Sequence, residues 1–418
     1  MVAITRRIRE PQPSERLSVF DLAELAMDVG PNPRSIGALL EIEGPAVDAT
    51  EVRDAVRARL HQVPRLSQRV RRTPLGVGRP LWQDAVVDLD HHVRARSATA
   101  DDLLGVAAAV LSEPMDPRRP PWRLTVVDLP SERRSALVWS SHHAMADGPS
   151  LLVALLAMVG DAQGPGVQGP VPLPRRVGRC RRLLGLRELA ASSMMRVPPS
   201  PLNRPVTAGY AVRAVDVDLP GVHDGARRSG ATVNDALLWA WGRALHRRLD
   251  AADLQDLPVV VSFTVSAASQ AVQNRVGAVR VRVPAPGPSV LVDLRQLGAD
   301  TMWRKRWTTG SSWWLTAQVF RLLGALGLNR RLMKRQRSIT SLVTNLHGPA
   351  GAPSVLGRPV RRAVPLTTLV GNVITMLAAL SYGDRMVATV VCSPESAHLL
   401  DLLTVDLAEG LAEVAAGA

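Results

Sequence analysis

Apolar positions recur along the chain with two periods, and the switch between them predicts the elements. Between residues 18 and 26 the spacing is helical, with Val19, Leu22 and Ala26 on one side, Leu25 beside them, and Ser18 placed to cap the start. Residues 36–42 form an apolar run of strand length, and 49–59 read as a helix begun after Asp48. Two extended segments (65–70 and 82–87) and a helix (101–111) follow. A Pro-rich turn at 115–121 then feeds a strand that begins near Trp122. A buried strand at 136–139 and a helix at 149–160 close the first half. The second half predicts strands at 210–218, 259–265, 276–283, 342–346, 376–382 and 386–392. Helices are expected at 232–248, at 301–326 with an interruption at Gly310-Ser311, and at 395–415. Residues 363–383 are uncharged and long enough to span a bilayer, but Pro365, Gly371, Asn372 and three threonines favour two buried strands.

Both halves mix helices and strands in similar numbers, and 418 residues exceed one ordinary core, so two related α/β domains of the α+β sandwich type are expected. The Gly- and Pro-rich stretch 163–174 is the natural boundary. It divides the chain into residues 1–160, a basic linker and crossing helix at 161–205, and residues 206–418. Cys180 and Cys392 match no metal or redox spacing, and the charged start of the chain lacks the apolar core of a signal peptide, which together predict a cytoplasmic protein. The net charge of +14 sits in two segments. Residues 161–210 hold eight arginines against Asp161 and Glu188, and 301–340 hold nine basic residues and no acid. Two basic patches on a near-neutral body suit an anionic ligand or lipid headgroups, not a nucleic-acid track.

The densest chemistry lies in Ser141-His142-His143-Ala144-Met145-Ala146-Asp147-Gly148, between the strand at 136–139 and the helix at 149–160. Adjacent residues of an extended segment face opposite ways, so His142 and His143 cannot share one metal ion. Nor does a nucleophile elbow occur. Direct general-base work remains: one imidazole faces a channel and takes the proton of an alcohol attacking a reactive ester or thioester. The other imidazole packs within the loop, and Asp147 holds the turn. A second pair, His91-His92, lacks the following Asp-Gly and is read as structural.

The run from His142 to Gly148 resembles the His-His-x-x-x-Asp-Gly signature of the chloramphenicol acetyltransferase-like superfamily, which includes peptide-synthetase condensation domains. Further stretches narrow the likeness to the bacterial wax ester synthase/acyl-CoA:diacylglycerol O-acyltransferase family. Leu17-Ser18-Val19-Phe20-Asp21 looks like its opening motif, and Pro120-Pro121-Trp122 is similar to its Pro-Leu-Trp. Thr232-Val233-Asn234-Asp235 is similar to its Asn-Asp motif, and Thr344 to Pro349 to its Asn-x-x-Gly-Pro. Pro121 stands where the family has Leu, His347 where it has Pro, and Val265 to Ser269 lacks an expected Arg.

The resemblance implies two chloramphenicol acetyltransferase-like domains flanking a channel. Acyl-CoA would enter as substrate with no cofactor or metal, and a hydroxyl acceptor would enter opposite. It makes His143 the base, His142 its helper, and Asp147 with Gly148 the loop support. Trp122, Asn234, Asp235, Asn345 and Gly348 would shape the channel. Arg175, Arg176 and Arg179 would meet the coenzyme's phosphates. Trp303, Trp307, Trp313 and Trp314, interleaved with basic residues, would suit a membrane or lipid-droplet surface. Three alternatives stay open: acylation of a natural-product alcohol or amine, a glycerol-phosphate type enzyme using His142 as base, and a lipid-binding protein without catalysis.

Overall fold

The computed structural model describes residues 15–74, 77–161, 190, 195–266, 276–308, 311–351 and 353–417, excepting some side chains between 265 and 317. Two six-stranded sheets dominate it. The first orders its strands Ser354–Val355, Arg358–Leu366, Ser35–Ile42, Arg134–His142, Trp122–Leu129 and Val93–Ser97; only the last pair is parallel. The second runs Val276–Val283, Val259–Ser266, Ser341–His347, Thr375–Tyr382, Arg385–Cys392 and Ala211–Asp218, with Ser341–His347 parallel to both neighbours. Glu15–Arg16, Leu81–Asp84 and Gln68–Arg71 form a third, small sheet.

Each half builds a core on its own sheet. In the first, Ile36, Leu39, Leu137 and Trp139 lie beneath the helices Ala49–Arg59, Leu103–Ser112 and Gly148–Val159. In the second, Val259, Phe263 and Leu377 meet the long helix Val233–Asp250, which packs beside Leu400–Ala416. The uncharged stretch at 363–383 is indeed strand, turn and strand. Its first strand, Arg358–Leu366, pairs with Ser35–Ile42 in the sheet of the other half. Alternation alone cannot show which sheet a strand joins, because any partner with a matching apolar face satisfies it.

Several predicted elements shift. Residues 64–67 form a 3-10 turn (Pro64–Ser67), and the strand starts at Gln68. A helix at Leu219–Arg228, capped by Asp218, was masked in the sequence by its glycines. The helix expected at 301–326 begins much earlier, as Val290–Thr308, and is followed by Ser311–Ala325; Gly310 of the predicted interruption lies outside the described residues. Residues 163–174 and the arginines 175, 176 and 179 lie outside the described residues, as does 267–275.

The first helix carries the most consequential difference. Val19–Met27 is capped by Ser18 through a capping box with Asp21, as the sequence signals, but its buried residues are Asp21, Ala23, Glu24 and Met27. The expected apolar side is only partly buried. Two acids turn inward because partners wait there: Asp21 accepts the Trp82 indole N–H at 3.1 Å, and Glu24 meets Arg34. These partners offset the desolvation penalty only in part at Asp21, whose carboxyl burial still raises, and more than fully at Glu24, which Arg34 holds down.

Candidate active site

The histidine pair lies where the strand Arg134–His142 gives way to the helix Gly148–Val159. Two backbone bonds clamp it: His142 N–H donates to the Pro121 carbonyl at 2.9 Å, and His143 N–H to the Arg34 carbonyl at 2.7 Å. Pro121 therefore acts through its carbonyl, which any residue supplies, so the departure from Leu costs this contact nothing. The Asp147 carboxylate caps the helix by accepting Ser150 N–H at 3.0 Å, as a fixed acceptor at a helix entry should. Gly148 lies close to the second sheet: a Cβ there would stand 2.5 Å from a methyl of Leu346, which reaches across from that sheet and would have to turn aside.

The two imidazoles have different surroundings. His142 is buried; its Nδ1 accepts Ala144 N–H at 3.0 Å, which places the ring proton on Nε2, 3.2 Å from Asp28 Oδ2. Burial pushes the Asp28 carboxyl up, but the hydrogen bond with His142 and the amide and charge of Arg34 outweigh it and hold the group below its ordinary value. His143 is half-buried and lines a cavity of about 640 Å³ between the two sheets. That volume falls in the range of small-molecule sites.

Gly37 and Gly148 share the cavity wall with His143, opposite Thr264 and Thr344, whose hydroxyls bond each other at 3.1 Å. Over the cavity lie Val319, Phe320, Leu332 and Met333, from helices of the second half that also pack on Val19–Met27. Glu24 and Arg34 form a buried ion pair in the same wall. Burial raises the Glu24 carboxyl, yet Arg34 first and then His143 more than offset it, and the net direction is down. Arg196, Arg335 and Arg337 stand exposed where the cavity opens.

Of the other expected residues, those that the structure describes, Trp122, Asn234, Asp235, Asn345 and Gly348, do not line this cavity. Trp122 is buried in a stack between His92 and Trp139, and its indole donates to the Leu66 carbonyl at 2.7 Å. Asp235 closes a capping box with Thr232 and accepts the Thr301 hydroxyl at 2.6 Å, tying two helices together. Asn234 stands beside it on the same helical turn. Asn345 falls between the cavity-lining Thr344 and Leu346, so strand alternation turns it to the other face. Gly348 N–H bonds the Ser381 carbonyl at 2.6 Å in a tight strand exit. His92 is structural as expected: it is fully buried, with Nδ1 2.8 Å from the Trp122 carbonyl.

Glu24, Asp28 and Arg34 were not anticipated. The signal lay in the sequence as Glu24 and Asp28, four apart in the last turn and at the cap of a mostly apolar helix that also carries Asp21, where solvent exposure is the ordinary interpretation. Among the described residues, no group of three or more His, Cys, Asp or Glu side chains is placed to hold a metal ion. Cys392 is buried, with its thiol pushed up to about 11 by burial, and does not reach the cavity.

Residues 17–173 match the model of the wax ester synthase/diacylglycerol acyltransferase catalytic domain, and residues 272–415 that of the C-terminal domain of the same family. A probable diacylglycerol O-acyltransferase of Mycobacterium tuberculosis, tgs1, is 27% identical over 397 residues, covering 84% of this chain and 85% of that protein. Among solved structures, the wax ester synthase/diacylglycerol acyltransferase of Marinobacter aquaeolei superposes with a TM-score of 0.66 at 20% identity, covering 96% of this chain and 98% of that one. A starter condensation domain of rhizomide synthetase, solved with C8-CoA, gives 0.66 at 14% identity, covering 96% and 95%. The likeness to these structures establishes the two-lobed condensation-domain-like fold, and the paired family models establish the lineage: the chain belongs to the wax ester synthase/diacylglycerol acyltransferase family of acyltransferases.

Proposed function

We propose that the chain transfers a long acyl group from acyl-CoA to the hydroxyl of a lipid alcohol, with His143 as the general base. The observation that carries this is the division between the two histidines: His143 lines the cavity, whereas both ring nitrogens of His142 are engaged by Ala144 and Asp28. His143 takes the hydroxyl proton as the oxygen attacks the thioester carbonyl. The tetrahedral oxyanion then collapses, the C–S bond breaks, and the thiolate of coenzyme A recovers the proton from the imidazolium. Gly148, at the positive end of the helix Gly148–Val159, lines the wall where that negative charge would develop. His142 and Asp28 hold the loop, and Asp147 fixes the helix entry.

The exposed Arg196, Arg335 and Arg337 at the opening supply the cationic surface that coenzyme phosphates need. Met302 and Trp303, 68% and 55% exposed, lie in the basic segment and support a peripheral position at a lipid surface. The side chains of Trp307, Trp313 and Trp314 lie outside those described. No helix among the described residues is long and apolar enough to cross a membrane.

Incubation with palmitoyl-CoA and either hexadecanol or dioleoylglycerol, followed by free thiol, tests the assignment. His143→Ala is expected to lower kcat by about 10²- to 10⁴-fold, and His142→Ala by less. A larger loss for His142→Ala would transfer the base to His142, and failure of every lipid alcohol to give thiol release would remove the lipid assignment.

A further inference from the structure

The cavity wall beside His143 contains a charge pair that a purely hydrocarbon occupant would not need. Glu24 and Arg34 are 6% and 7% exposed, and both line the cavity. Their neighbours in the wall include Met27, Ile36, Leu151 and Leu366, an apolar surface suited to acyl chains. An ion pair set among such residues costs several kcal/mol of desolvation, and apolar residues of similar volume often do as well or better for stability. The pairing is also one-sided. Arg34 Nε, at 3.1 Å, and Nη2 both donate to Glu24 Oε2, and among the described residues none donates to Oε1. Arg34 keeps the carboxyl ionised, so Oε1 is an acceptor only and needs a donor.

Resting on the acyl-transfer function proposed above, we propose that Glu24, held by Arg34, is an acceptor-specificity residue. It accepts a hydrogen bond from a second donor, a hydroxyl or amide N–H, carried by the acceptor close to its reacting hydroxyl. The acceptor is then a vicinal diol, monoacylglycerol or similarly substituted lipid, favoured over a plain alkanol. A plain alkanol leaves Oε1 facing hydrocarbon, and sites built to bond a substrate hydroxyl discriminate strongly against analogues that lack it.

The test compares kcat/KM for 1,2-hexadecanediol and 1-monopalmitoylglycerol with that for 1-hexadecanol, using palmitoyl-CoA and thiol release. The wild-type protein is expected to prefer the two-donor acceptors by at least about tenfold. In Glu24→Leu/Arg34→Met, which removes both charges together and keeps the volume, that ratio is expected to fall by about tenfold. Equal use of the three acceptors by the wild-type protein overturns the inference without any variant, as does a folded double variant that keeps the preference. Turnover of hexadecanol without discrimination leaves lipid-alcohol acyl transfer standing and removes only the role of Glu24. Failure of all three acceptors to give thiol release overturns both.

Discussion

At the scale of single residues, partners rather than residue types decide which titratable groups work and which support. His92 and His143 are both histidines next to another histidine, yet one is sealed in an aromatic stack and the other lines the cavity. Burial pushes the His92 imidazole down to about 4, against an ordinary value of 6.5. Between those values the unfolded chain binds a proton that the folded one refuses, so stability falls as pH is lowered from about 6.5 towards 4. Melting temperatures at about pH 7 and about pH 5 are expected to differ less in His92→Gln than in the wild-type protein, and equal slopes would show that His92 titrates normally. Glu24 and Asp28 act in a lower window. Their carboxyls are held below the ordinary 4.5 and 3.8, so their contribution is complete above those values and is lost only as pH falls through the lowered folded ones.

At the scale of elements, two glycines set how closely the site can be assembled, and they are not equivalent. Gly37 lies on the strand beside the histidine strand, and a Cβ there would stand 2.1 Å from the Trp139 carbonyl oxygen. Backbone within a paired sheet cannot move aside. At Gly148 the obstacle is the end of the Leu346 side chain, which can rotate. Gly37→Ala is therefore expected to cost roughly 3 kcal/mol or more, and Gly148→Ala about 1 kcal/mol, in urea unfolding. The reverse order would mean that the Gly148–Leu346 contact between the halves is rigid. Helix caps at this scale were legible from sequence at Ser18, Asp48 and Asp147, whereas Thr232, expected as the first residue of its helix, is its cap. Which face of Val19–Met27 turns inward was not, because the burial of Asp21 and Glu24 depends on Trp82 and Arg34, partners from outside the helix.

For the whole molecule, the halves that the sequence suggests are joined by more than a linker. The strand Arg358–Leu366 completes the first sheet, Tyr210 and Val212 enter the first core, and Asn329 donates to the Ala26 carbonyl at 2.7 Å. Separating the halves would strip an edge of the first sheet and uncover the cavity. Calorimetry is accordingly expected to show one cooperative unfolding transition. Two well-separated transitions would show that the exchanged strand contributes little to the coupling.

The sequence by itself determined the alternation of helices and strands, the helix entries at Ser18, Asp48 and Asp147, and the loop that presents His142 and His143, because period, capping chemistry and turn residues are local properties. The motif in that loop pointed to the superfamily, and the stretches at 17–21, 120–122, 232–235 and 344–349 narrowed the resemblance to the family. Only the tertiary structure decided which histidine meets the cavity, which sheet receives Arg358–Leu366, and that Glu24, Asp28 and Arg34 surround the pair. Those outcomes depend on groups brought together from distant positions, where burial and a hydrogen-bonding partner change what a side chain is.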